Sequence, residues 1–94
     1  MEKKLKLKII TPEETFLDDV EVESITIVTT AGSITVYANH APIVSTLVIG
    51  NMKYVNNNET KHIHLHRGIL KISHNQVKII TQRLYEVDEK GQRI

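Results

Sequence analysis

Apolar and polar residues alternate one for one along most of this chain, and turn residues cut the alternation at short intervals. That pattern forces sheets. Leu5, Leu7 and Ile9 face one way while Lys4, Lys6 and Lys8 face the other, the period of two of a half-buried strand. Thr11-Pro12-Glu13-Glu14 ends the first strand, because proline cannot donate to a ladder. Val20 and Val22 alternate with Asp19, Glu21 and Glu23, and the phase then slips by one to Ile25 and Ile27. Such a slip predicts a bulge or a strand that changes neighbours. Ala31-Gly32 makes a turn, Ile34 and Val36 resume the alternation, and Ala38-Asn39-His40-Ala41-Pro42 forms a loop whose proline holds Ala41 extended.

The second half repeats the grammar. Ile43 to Ile49 is a mostly apolar run closed by Gly50-Asn51, and Met52 to Val55 reads as a strand. Asn56-Asn57-Asn58-Glu59 is the clearest hairpin tip, since asparagine tolerates positive φ. On the return Ile63 and Leu65 point inward and His62, His64 and His66 outward. Gly68 marks a bend, Ile69 to Ile72 continues, and His74-Asn75-Gln76 turns into Val77, Ile79 and Ile80. Short strands with turn signals at regular spacing predict an all-β, flattened sandwich or barrel. Gln82 to Ile94 departs from the pattern: Leu84 and Val87, three apart, fit a short helix, of a length marginal in isolation.

Composition narrows the function classes. Ninety-four residues make one domain. Phe16, Tyr37, Tyr54 and Tyr85 are the only aromatic residues, so the core is aliphatic. A formal net charge of +1 provides no field to steer the chain to nucleic acid or to an anionic membrane. The one basic cluster, Lys3, Lys4, Lys6 and Lys8, describes the wet face of a strand. Oligonucleotide-binding barrels of this size stack bases on aromatic platforms in a basic groove, which four scattered aromatics do not provide. The absence of cysteine excludes disulfides and thiolate metal sites. No apolar run is long enough to span a bilayer as a helix. The N-terminal Met-Glu-Lys-Lys lacks a signal-peptide core, so a soluble intracellular protein is expected.

Candidate chemistry is sparse. His62, His64 and His66, at strand spacing, project imidazoles about 7 Å apart on one face. Two of them with a third ligand could hold Zn²⁺, which makes a free-standing metal-binding β-domain the alternative reading; a solvated strand face is the plainer one. His40 beside Pro42 is a candidate pH-sensitive group or a loop-bracing residue. Glu13, Glu14, Asp18 and Asp19 sit in and beside a loop, without the pocket that acid–base catalysis needs. The four glycines lie far apart and none belongs to a phosphate-binding loop.

The order of motifs resembles the N-terminal domain of the epsilon subunit of F-type ATP synthases, over roughly residues 5–89. Leu7-Lys8-Ile9-Ile10-Thr11-Pro12-Glu13 looks like that family's first strand and its Thr-Pro-Glu turn. Val20 to Ile27 followed by Gly32-Ser33-Ile34 resembles its strand and Gly-containing hairpin. Asn39-His40-Ala41-Pro42-Ile43-Val44 is similar to its Gly-His-Ala-Pro-Leu segment, with Asn39 in place of glycine. Leu47 to Gly50 resembles its Leu-x-x-Gly, and Arg67-Gly68-Ile69-Leu70-Lys71-Ile72 its Gly-Gly-Phe/Ile-Leu-x-Val, with Arg67 for the first glycine. Val77-Lys78-Ile79-Ile80 completes the strand set.

The resemblance implies a sandwich of about ten strands over residues 1–85 and a tail over 86–94, where a regulatory helical hairpin would begin. It implies a non-catalytic rotor subunit, without cofactor, that couples the gamma subunit to the membrane c-ring. Its expected location is the cytoplasmic face of a bacterial membrane, as a peripheral part of the complex. Carried over residue by residue, the ring-facing surface comprises Ala31, Gly32, Ser33, His40, Ala41 and Pro42; Ser33 stands where the family often has an acid. Val87-Asp88-Glu89-Lys90-Gly91-Gln92 aligns with the family's nucleotide motif Ile/Leu-Asp-x-x-Arg-Ala but lacks its arginine and alanine. No ATP binding is therefore expected.

Overall fold

A computed structural model describes residues 4–90 and 92–93. The Lys3 end of the basic run, and Gly91 and Ile94 of the tail, lie outside the described residues. Among the described residues the chain forms ten strands and no helix: β1 (Leu5–Ile10), β2 (Thr15–Val22), β3 (Ser24–Thr29), β4 (Gly32–Tyr37), β5 (Ile43–Leu47), β6 (Gly50–Asn56), β7 (Glu59–Leu65), β8 (Gly68–Ser73), β9 (Gln76–Thr81) and β10 (Leu84–Val87). The expected all-β sandwich is the observed architecture.

One sheet, ordered β10-β7-β6-β3-β5-β8-β9-β1-β2 with β4 on the flank of β3, folds over to give both layers. The fold-over point is β3. One of its edges serves two partners, pairing β6 through Ser24–Thr26 and β5 through Thr29↔Leu47. The Thr30 N–H adds a 3.0 Å bond to the Thr46 carbonyl at the same corner. The phase slip after Val22 is thus a change of neighbours, from β1 to β4 and β6. Bulges lie earlier, within β2. Leu7↔Val20 is followed by Ile9↔Leu17, and then Ile10↔Thr15, so β2 carries one extra residue at each step. Asp19 absorbs the first extra residue at φ 55.

Two hairpin tips follow from side chains that tolerate the left-handed region. Asn57 (φ 51) and Asn58 (φ 66) connect the paired Asn56 and Glu59, and His74 (φ 51) and Asn75 (φ 60) connect Ser73 and Gln76. Positive φ at both central residues is the turn whose twist matches the flanking strands.

Inward residues of both layers form one aliphatic core. Leu5, Leu7, Ile9, Leu70, Ile72, Val77 and Ile79 come from one side, and Ile25, Ile27, Val36, Met52, Tyr54, Ile63 and Leu65 from the other. Each such side chain contributes about 1.5–3 kcal/mol when fully buried, and a one-residue register slip would turn a whole strand's set to solvent. Burial therefore fixes the register of the strands that carry the outward residues discussed below.

Tyr54 is the aromatic residue of this core, and burial pushes its phenol above the ordinary value of 10.0, with the Glu86 carboxylate adding to the shift. The folded chain holds this proton more tightly than the unfolded chain does. The associated stability is complete below the unfolded value and is lost as pH rises through it toward the folded value. Urea unfolding of wild type against Tyr54→Phe between pH 8 and about 11 should therefore show the wild type losing more stability at the alkaline end.

The start of β8 crosses the end of β9 at close quarters, where Gly68 pairs with Thr81. The Thr81 hydroxyl, in a residue 1% exposed, lies 3.1 Å from the His66 carbonyl, 3.3 Å from that of Arg67 and 3.2 Å from that of Arg83. Its single proton serves one carbonyl at a time. The His66 N–H donates to the Arg83 carbonyl (3.1 Å) and the Gln82 N–H to that of Arg67 (3.2 Å), which closes the crossing. Thr81→Val keeps the shape and removes the donor, and should cost about 1–3 kcal/mol in denaturant titration.

The tail corrects the helix expected over Gln82–Ile94. Leu84–Val87 is strand β10, paired antiparallel with β7 through Leu84↔Leu65, Tyr85↔His64, Glu86↔Ile63 and Val87↔His62. Two apolar residues three apart are too few to define a helical face. The open edge of β7 instead satisfies the backbone groups of a segment rich in strand-favouring side chains. Asp88 then reverses the chain: its Oδ1 accepts from the N–H groups of Lys90 and Gln92, both at 2.9 Å, and Val87 bridges Arg93.

Candidate functional site

Strand β4 pairs with β3 along one edge and presents its other edge unpaired among the described residues. The six residues singled out by sequence flank this edge. At one end, the Thr29 hydroxyl accepts from the Ala31 N–H (3.1 Å) and donates to the Gly32 carbonyl (3.0 Å), which closes a tight turn with Gly32 at φ 116. Ala31, Gly32 and Ser33 are exposed. At the other end, Asn39 takes φ 67, the backbone state that glycine adopts most readily, so the asparagine fills a glycine position without a change of path. The His40 ring closes on its own loop through Nδ1 and the Ala41 carbonyl at 2.7 Å. The Asn39 N–H donates to the Asn75 side-chain oxygen, which ties the loop to the β8–β9 turn.

The six residues are not one cluster. Ala31–Ser33 and His40–Pro42 sit at opposite ends of β4, separated by the length of that strand, about 17 Å.

The three histidines do not form a metal centre. The His64 ring stacks on Tyr85 with centroids 4.8 Å apart and meets His66 edge-on at 5.4 Å. Its Nδ1 lies 2.7 Å from the Asn51 side-chain oxygen. The guanidinium of Arg93 covers the other part of the stack, 4.8 Å from the Tyr85 centroid. The His64 ring is thus engaged by cross-strand neighbours, and among the described residues no three His, Asp or Glu side chains converge as ligands. The alternative metal-binding reading is overturned on that geometry. Tyr85 and Arg93 are distant from the histidines in sequence, and only the β10–β7 pairing reveals the stack.

Hydrolytic chemistry finds no better footing. Ser73 Oγ lies 2.9 Å from His74 Nδ1, but both residues are exposed, at the end of β8 and in the turn after it. That hydrogen bond takes the nitrogen through which a carboxylate would orient the ring in a triad. One hollow of about 680 Å³ is open and lined by carboxylates of Glu13, Glu14 and Glu86 as well as by Arg83 and Arg93. Charges of both signs give it no preference for a phosphate group.

Comparison with known proteins agrees with the fold. The family model described as "ATP synthase, Delta/Epsilon chain, beta-sandwich domain" matches residues 4–87. The chain is 37% identical to the ATP synthase epsilon chain of Clostridium novyi (strain NT), covering 96% of this chain and 71% of that relative. It is 32% identical to the ATP synthase epsilon chain of Symbiobacterium thermophilum, covering 81% of this chain but 55% of the relative. The chain therefore spans little more than half to about seven-tenths of the relatives it resembles. In fold it is similar to a chain of the Euglena gracilis mitochondrial ATP synthase, with a TM-score of 0.88 at 22% identity over 95% of this chain and 57% of that one. A chain of the central stalk and c-ring structure from Tetrahymena thermophila gives a TM-score of 0.77 at 18% identity, over 94% and 70%.

Proposed function

Because this chain belongs to the delta/epsilon chain family of ATP synthases, whose β-sandwich domain it carries over residues 4–87, we propose that it serves as a non-catalytic central-stalk subunit. In this reading it rotates with the gamma subunit and couples it to the c-ring during ion-driven ATP synthesis. The family match over nearly the whole chain is the observation that carries the proposal. The fold supports it, since a doubly layered sheet with an aliphatic core resists shear and suits a part that passes torque.

The surface proposed to face the ring comprises Ala31, Gly32 and Ser33, then His40, Ala41 and Pro42, joined by the free edge of β4. The division into a sandwich over 1–85 and a tail over 86–94 is proposed with it; sheet pairing reaches Val87. The location proposed is peripheral, at the cytoplasmic face of a bacterial membrane through the complex. No cofactor, nucleic acid or ATP is assigned to the domain. At the position of the family's motif arginine stands Gly91.

Affinity capture of the tagged chain from native membranes tests the reading. Co-purification of a gamma subunit and ring at stoichiometric yield is expected, and recovery of neither would overturn the assignment. Titration calorimetry with ATP should give no heat of binding at micromolar concentrations.

A further inference from the structure

Residues 38–42 carry the chain from one layer of the sandwich to the other. They leave β4 where Tyr37 pairs with Ser24 of β3, and they enter β5 where Ile43 pairs with Ile72 of β8. None of these residues belongs to the aliphatic core, and Asn39, Ala41 and Pro42 are exposed. Packing therefore contributes little to holding the loop in place. Among the described residues, its hydrogen bonds to other segments both run to one side chain, that of Asn75, 36 residues beyond Asn39. The Asn39 N–H donates to Asn75 Oδ1, and Asn75 Nδ2 stands 3.4 Å from Asn39 Oδ1. The His40 ring braces only its own loop, through the 2.7 Å contact with the Ala41 carbonyl.

Asn75 is itself fixed through its backbone. It takes φ 60 in the turn closed by Ser73↔Gln76, and its carbonyl accepts from the Lys6 N–H at 2.9 Å. That bond heads the parallel ladder of β1 and β9, which continues at Lys6↔Gln76. The turn explains why position 75 holds a residue that tolerates positive φ, but glycine would meet that need as well. The turn does not explain the amide, which reaches out of the β8–β9 hairpin to the loop after β4.

We propose that Asn75 is a positioning residue for His40-Ala41-Pro42: its side-chain amide holds the loop in one shape and ties it to the β1–β9 ladder. The inference rests on the central-stalk reading, in which this loop meets a neighbour, and adds to it a residue outside the contacting surface. A preshaped loop loses less freedom on binding, and the fraction of molecules with the loop in place scales the apparent affinity.

Asn75→Gly separates the two roles of the position, because it keeps the turn and the carbonyl and removes the amide. In the full chain, hydrogen-exchange protection of the Asn39 N–H should fall about three- to tenfold, while β8 amides and the melting temperature stay close to wild type. Asn75→Asp keeps an acceptor for the Asn39 N–H and should restore the protection. Membranes stripped of this chain supply the second measurement, ATP-driven ion pumping restored by added protein. Half-maximal restoration should require about threefold or more Asn75→Gly than wild type, with Asn75→Asp close to wild type. A general loss of stability would instead lower protection in β8 as well, and Asn75→Asp would not rescue it. Unchanged protection at Asn39 in Asn75→Gly overturns the proposal, and so does full restoration by Asn75→Gly at the wild-type concentration. In both cases the stalk reading stands, provided that wild type restores pumping. If wild type restores none, the stalk reading is overturned and the positioning role falls with it.

Discussion

Gly68→Ala should leave little folded protein, at a cost of more than about 4 kcal/mol. A Cβ at this position would sit 2.0 Å from the Ile80 carbonyl oxygen and 2.9 Å from the Thr81 Cα. Both neighbours are backbone, so no side chain can swing away. Relief requires β8 to part from β9 at the crossing where the Thr81 hydroxyl and the His66 and Gln82 amides are engaged. Gly50 is the control. Its added Cβ would meet Val28 Cγ2 at 3.8 Å, an ordinary contact, and Gly50→Ala should change stability by no more than about 1 kcal/mol. Gly32 falls between the two: nothing stands within 4 Å, but its φ of 116 is unfavourable for any L side chain, and Gly32→Ala should cost about 1–2 kcal/mol. Circular dichroism and urea midpoints of the three variants would rank them as Gly68 far below Gly32, with Gly50 close to wild type.

Leu70→Ala should cost about 2–5 kcal/mol, the second largest effect. Leu70 is fully buried in β8, between β5 and β9, and points into the seam between the layers. Strands paired on both sides cannot collapse far into the space left behind. The adjacent Ile69→Ala removes a similar amount of hydrocarbon from a side chain 46% exposed on the other face. It should leave the urea midpoint nearly unchanged. One step along the strand thus separates a core residue from a surface residue.

Most of the fold was legible in the sequence because strand burial has a period of two. Leu5, Leu7 and Ile9 against Lys6 and Lys8 announced β1, and the asparagine run announced the β6–β7 tip with its left-handed pair. Sequence reasoning failed at β10, where pairing with β7 outweighed a two-residue hint of helix. It also could not place the six edge residues along β4, since their separation depends on strand length and pairing. The histidine stack escaped it for a related reason. It joins residues from different strands, and cross-strand register is a property of the folded sheet. Alternation indicates which face a residue takes, while the identity of its lateral neighbour stays hidden.

The sole parallel ladder among the named strands joins β1 to β9, with Lys6 opposite Gln76 through to Ile10 opposite Ile80. This has a consequence for the order of events as the polypeptide is made. Of these ten strands, β1 is made before β9 and waits for it before one of its edges is filled. Until residues 76–80 have emerged, β1 has β2 for a neighbour and its other edge is unfilled. Closure of the molecule is therefore a late, long-range event, with a large loop-closure entropy and correspondingly slow folding. The nascent N-terminal hairpin is the stretch that a chaperone would find uncovered.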